Sequence, residues 1–330
     1  MRTLKIAVWS LIFLCAQSSC AQDGKGKKGG KQQPQTATAE TPLAKPAATV
    51  ELASAVAVTY DLAKPTSRYE LDTLLNEISA VEWIDAQTLA AVEDERGWLY
   101  LLSSKDGSIQ EKFEFWQEGG DFEGLCVVGN SLWVLEAKGH LLEISNWRDA
   151  SKRRVERYDT PLRKDNDAEG LCYDAPNNRL LIACKGSPLI GATARDHRAV
   201  YAFSLADKKL EEKPIFAFGF EAVRAVLAAQ KADAYTHDDV LRKLEKGKVL
   251  PIMPSDIAIH PKTKEIYLLA SDGMALMRFS ADGGQLLSIQ GLDPALMQQP
   301  EGLTFTASGD MWISSEARDG VASIQFFKLK

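Results

Sequence analysis

"GDFEGLCVVGNSLWVLE" (Gly120–Glu136) and "NDAEGLCYDAPNNRLLIACKG" (Asn166–Gly186) are two copies of one pattern. Each sets Asp-x-Glu-Gly-Leu-Cys before a polar turn and a second apolar run. The pattern recurs more loosely from Glu77, Pro254 and Pro300. In these units an alternating strand is followed by a turn such as Pro176-Asn177-Asn178, Pro261-Lys262-Thr263 or Ser308-Gly309-Asp310. A third strand then runs to an Asp-Gly turn, as at Asp106-Gly107 and Asp282-Gly283. Strands punctuated this often indicate an all-β fold. A repeat of about 45 residues holding about four strands selects a β-propeller.

The interval from Asp167 to Pro254 is long enough for two units, so six blades are the alternative to five. Phe220–Leu250 argues for five. It carries Ala, Leu, Lys and Glu at helical spacing, with Val240, Leu241 and Leu244 on one face. Thr236 and Asp239 form an N-cap pair. This predicts a helical insertion over about 218–250, carried by the third blade. "SAVAVTYDL" (Ser54–Leu62) is a strand pattern without a local partner. It is expected to close the last blade as its outer strand and so remove an open edge.

Ahead of the propeller domain (50–330), Arg2 and Lys5 precede an apolar run, Ile6–Leu14, too short to span a bilayer. Residues 1–20 read as a signal peptide. Cys20 after Ser18-Ser19 resembles a lipobox, with Gln17 departing from the usual aliphatic residue, and is the expected lipidation site. Release at a Ser19-x-Ala21 site is the competing route. Residues 21–49 are rich in Gly, Lys, Gln, Pro, Thr and Ala and lack aromatics, which predicts a disordered tether. The expected location is the cell envelope, on a membrane facing the periplasm or the cell surface, with the lipid as the only membrane contact.

The chain has 330 residues, 45% of them apolar and 25% charged, and a net charge of -6. That balance argues against nucleic-acid binding, which needs a basic stripe. It leaves cations, peptides, proteins and glycans open, and a monomer is expected. Cys126, Cys172 and Cys184 have no zinc spacing and read as small buried hydrophobes. Cys126 and Cys172 hold the same place in different units, too far apart to bond. Trp83, Trp98, Trp116, Trp133 and Trp312 read as packing between blades. His140 and His197 read as surface residues, and His237 and His260 as cap and turn residues.

First strands line a propeller's channel, and residues two apart point the same way. Aligning Ser79, Glu123, Glu169, Asp256 and Glu301, with Glu77, Asp121 and Asp167 two places earlier, gathers up to seven carboxylates near one mouth. Two like charges 4 Å apart repel by about 4 kcal/mol at an effective dielectric of 20. A hard cation such as Ca2+, basic side chains, or backbone N–H donors must answer that repulsion. The glycines after Glu123, Glu169 and Glu301 permit close backbone approach. Loops on the same face carry Glu136, Lys138, Lys185, Glu316 and Arg318, the expected ligand-binding face. No Ser-His-Asp order, phosphate loop or HExxH is present.

"EISAVEW", "DFEGL", "DAEGL", "PSDIAIHPKTKEIYLLAS" and "QPEGLTFTASGDMWISSEA" resemble the SdiA-regulated family of bacterial envelope β-propellers, over roughly Glu70 to Lys330. The resemblance implies an exported, often anchored propeller with acidic channel residues able to bind calcium, and no secure enzymatic activity. By motif, Glu123, Glu169, Asp256 and Glu301 match its acidic first-strand positions. Ala80 departs from the family's glycine. The functional expectation is a binding module that holds a protein, peptide or glycan at the envelope. The alternative is a metal-dependent hydrolase of lactonase or phytase-like esterase type. That alternative would want asparagines beside the carboxylates, where the ring offers Ser79 and no Asn. An assembly scaffold is a third reading. Catalytic residues are not identifiable.

Overall fold

The computed structural model describes residues 59–230 and 238–330. They form five antiparallel sheets in propeller order. Blades 1, 2 and 4 each run as a four-stranded meander: Ile78–Trp116, Phe122–Tyr158 and Met253–Gly291. In blade 3 the outer strand is broken into Lys209–Leu210 and Phe216–Gly219, both paired with His197–Ser204. Blade 5 takes three strands from the C-terminal end, Gln299–Phe305, Met311–Glu316 and Ser323–Phe327.

The fourth strand of blade 5 comes from the N-terminal side, as expected, but from Ser67–Glu70 and not from Ser54–Leu62. Ser67 pairs with Phe326 and Glu70 with Ser323. Thr59–Leu62 lies outside any strand, and Ser54–Val58 falls outside the described residues. The apolar alternation serves a different purpose here. Tyr60 and Leu62 insert side chains into the core between blades 4 and 5, beside Leu303, Phe305 and Phe327. The Tyr60 hydroxyl donates to the Gly309 carbonyl at 2.6 Å.

The insertion is helical: α1 (Phe220–Ala229) and α2 (Asp238–Lys246) connect blade 3 to blade 4. Thr236 and His237 lie outside the described residues. The insertion is pinned through Leu250, whose N–H donates to the Arg195 carbonyl at 2.8 Å. The buried Arg198 guanidinium donates back to the Leu250 carbonyl at 2.9 Å. Among the described residues, no helix is long and apolar enough to cross a membrane.

Cores lie between adjacent blades. Between blades 2 and 3, Trp133 stacks on Tyr158 at 5.4 Å and meets Phe203 at 6.0 Å, above Leu171 and Ile182. Each such side chain contributes about 1.5–3 kcal/mol by leaving water. Trp133 and Trp312 are buried, while Trp83, Trp98 and Trp116 are half-buried. Cys126, Cys172 and Cys184 are buried free thiols. His140 and His197 are half-buried, each 2.8 Å from an aspartate. His260 is not a surface turn residue but fully buried. Its Nδ1 accepts the Thr263 N–H at 3.1 Å, and its ring meets Phe305 edge-on at 5.1 Å.

Candidate functional site: the acidic channel mouth

Every first strand carries a bulge near its start, and the bulges set the register. Pairing skips between Ile78 and Ala80, Phe122 and Gly124, Ala168 and Gly170, Pro254 and Asp256, and Pro300 and Gly302. The skipped residues are Ser79, Glu123, Glu169, Ser255 and Glu301. A bulge leaves its extra residue unpaired and re-aims its side chain. The mouth ring therefore holds three glutamates and two serines.

Asp256 belongs to the next ring inward, with Ala80, Gly124, Gly170 and Gly302. This corrects the alignment that set it beside the glutamates. Pro254-Ser255-Asp256-Ile257 matches Pro300-Glu301-Gly302-Leu303, with Asp in the glycine's place. At that ring the blades touch. A Cβ on Gly170 would lie 2.7 Å from the Asp256 carbonyl carbon, and one on Gly302 would lie 2.6 Å from the Val81 nitrogen. These contacts explain the glycines.

Asp256 fills the same contact with a carboxylate. Its Oδ1 accepts the Ile257 N–H at 2.8 Å and the Leu171 N–H at 3.4 Å, and its Oδ2 accepts the Leu303 N–H at 2.6 Å. It ties blades 3, 4 and 5 together at the axis. Burial pushes its pKa well up, and the three backbone donors pull it back. Glu82 does the same on the opposite side and was missed in the sequence reading. It accepts the Val127 N–H at 3.3 Å and the Thr304 hydroxyl at 2.8 Å, so it joins blades 1, 2 and 5. Burial raises it to about 7. Glu82 follows Ala80 by two residues, and that alternation was the available signal.

The three mouth glutamates face other charges. Glu169 and Glu301 are buried, and Glu123 is half-buried. Lys185 Nζ lies 3.3 Å from Glu169. Burial opposes the lysine's charge, but Glu169, Glu301, Asp167 and Glu123 together push its pKa above the ordinary value. Burial and mutual repulsion raise Glu123 and Glu169, with Lys185 pulling both back. Burial lifts Glu301 to about 7 against the same lysine. The mouth thus gathers more carboxyl groups than the half-buried Lys185 can pair with, and burial keeps their protons on to higher pH.

The remaining expected residues spread outward. Asp167 is half-buried beside Lys185, with burial raising its pKa. Glu77 and Asp121 stand exposed on the outer lip. Glu136 is buried, with Arg157 at 3.9 Å, and Lys138 is exposed. Arg318 is exposed and donates to Gln299, which itself donates to Glu316. Arg318 is therefore held at the rim and not in the ring. Asp94, also missed, sits in the loop beside Glu77 and Glu316. Burial and those neighbours raise it to about 7, and its Oδ1 is buried without a hydrogen-bond partner. Among the described residues, no three His, Cys, Asp or Glu side chains converge closely enough to hold a metal ion.

The sequence profile of the SdiA-regulated family matches residues 57–318. The chain belongs to the SdiA-regulated family. That match runs from ahead of blade 1 to just past the second strand of blade 5 and includes the insertion, so every first strand at the mouth lies within it. No curated protein matches the chain. Among solved structures, glutaminyl cyclase of Myxococcus xanthus is 13% identical with a TM-score of 0.50, covering 81% of this chain and 96% of that one. A luciferin-regenerating enzyme is 11% identical with a TM-score of 0.48, covering 81% and 97%. At such identities the likeness of this SdiA-regulated chain to the cyclase is one of fold.

Proposed function

We propose that the protein is an exported, membrane-tethered binding module whose channel mouth receives a cationic group of a peptide or protein ligand. The observation that carries this reading is the trio Glu123, Glu169 and Glu301 around Lys185, all three with raised pKa values. Carboxyls held above their ordinary range gain from any added positive charge. An amine or guanidinium entering the mouth would be stabilised by all three.

Calcium is the inorganic form of the same idea. It asks for six to eight oxygens at about 2.3–2.6 Å. The described residues hold no converging group of three ligating side chains, and Lys185 stands beside Glu169. The donors in this arrangement do not fit a calcium cage, so the organic cation is preferred.

The described chain begins at Thr59, whose carbonyl accepts from the Lys330 N–H. Tyr60 bonds at the Gly309 turn, between the first and second strands of blade 5, on the face opposite the mouth. A tether leading to a lipidated Cys20 would join the described chain on that face. Loss of membrane fractionation in Cys20→Ala is the expected result for the anchor.

The ligand reading is tested by comparing lysine-bearing peptides with their acetylated forms on the purified domain. Retention of the free amines, lost on acetylation and in Glu169→Gln/Glu301→Gln, is expected. Equal retention of acetylated peptides would refute it. Calorimetric calcium binding that disappears in the same double variant would give the mouth to a metal instead.

A further inference from the structure

The entry position of the first strand, two residues before the bulge, carries Glu77, Asp121, Asp167 and Gln299 in blades 1, 2, 3 and 5. Blade 4 places Met253 there, half-buried and paired with Asp272. The apolar exception coincides with a cavity of about 350 Å³ between α2 and the upper edge of blade 4. Val240, Val249, Pro251 and Met253 line it together with Lys243, Lys246, Lys248 and Asp272.

Three physical features constrain an occupant. The wall is fixed in advance, because Leu250, between Val249 and Pro251, is held from both sides by Arg195 and the buried Arg198. A preformed pocket keeps the ordering cost of binding small. The volume lies at the small-molecule end of the usual range. The lining has an aliphatic side and, in Lys246 and Lys248, two ammonium groups beside the one carboxylate of Asp272, so a bare anion leaves the walls unused and an amine meets both lysines. Lys246 sits in the last turn of α2, where a cation also offsets the helix dipole. Lys248 lies past the helix end.

We propose that this cavity binds a medium-chain aliphatic carboxylate, with its chain against Met253 and Val249 and its head at Lys246 and Lys248. This goes beyond the mouth reading and stands without it.

Decanoate titrated into the purified protein by calorimetry tests the assignment, with decanol and inorganic phosphate as comparison probes. Saturable decanoate binding is expected, with decanol at least tenfold weaker and phosphate not competing. Met253→Glu restores the kind of residue that three other blades carry, so the fold should hold. It should weaken decanoate at least tenfold at an unchanged melting temperature, as should Lys246→Glu/Lys248→Glu. The proposal is overturned by absent decanoate binding, by decanol binding equally well, by phosphate displacing decanoate, or by both variants retaining full affinity.

Discussion

Blades 3 and 4 use the same piece of backbone for opposite purposes. Blade 3 enters the channel as Asp167-Ala168-Glu169-Gly170-Leu171, and blade 4 as Met253-Pro254-Ser255-Asp256-Ile257. In blade 3 both carboxylates look toward the mouth, and glycine makes the contact with the next blade. In blade 4 the mouth positions are Met and Ser, and the carboxylate moves into the contact. Glu169 is answered by a lysine, and Asp256 by three backbone N–H groups. A carboxylate satisfied by backbone is part of the scaffold. One satisfied by a single shared cation still has attraction to offer a ligand.

The sharpest break of that contrast is Asp256→Ala. It strips the acceptor from three buried N–H groups and should cost about 2–4 kcal/mol in denaturant unfolding. A loss under about 0.5 kcal/mol, the size of an ordinary surface change, would remove Asp256 from the scaffold. Next is Gly170→Ala, whose methyl would meet the Asp256 and Ile257 backbone at 2.7 Å. A cost of about 1–3 kcal/mol is expected from overpacking, and an unchanged midpoint would contradict the close contact.

The mouth should answer to pH. Its carboxyls bind protons more tightly folded than at the ordinary glutamate value of 4.5. Above that value the unfolded chain has released protons that the native mouth retains. Stability from these groups is therefore fully present below about pH 4.5 and is lost as pH rises through 7, where Glu301 titrates. Melting temperature should fall from pH 5 to pH 8, and the fall should shrink in Glu123→Gln/Glu301→Gln. A slope that ignores both substitutions would place its cause elsewhere. The smallest effect expected is that of Tyr60→Phe, which loses one hydrogen bond to Gly309 for about 0.5–1.5 kcal/mol. A loss several times larger would make the latch a main support of the closed ring.

Much of this architecture was legible because the repeat carries it. Glu-Gly-Leu marks the bulge and the inter-blade contact in three blades, after an acidic residue in blades 2 and 3 and after Gln299-Pro300 in blade 5, and helical spacing marked the insertion. Asp256 was misplaced because a carboxylate near a strand start looks like any other until the bulge fixes the count. The neighbouring prolines, Pro254 and Pro300, already held the correct register. The closing strand was misjudged for a related reason. Val, Tyr and Leu at period two describe a strand, yet Tyr60 and Leu62 use that spacing to plug a core. Ser67–Glu70 pairs instead with little apolar signal, because an outer strand owes its place to the ladder. The role of Lys185 was legible as well, because it directly follows the second strand of blade 3, whose end shares the mouth face with the starts of the first strands, and it pairs with Glu169 there.

Carboxyl-resolved NMR titration of Glu123, Glu169 and Glu301, in the native protein and in Lys185→Met, tests the central claim most directly. All three should titrate above the ordinary range near 4.5 and move higher still without the lysine. Ordinary values that stay put when Lys185 is removed would contradict a mouth with more carboxyls than its lysine can pair with.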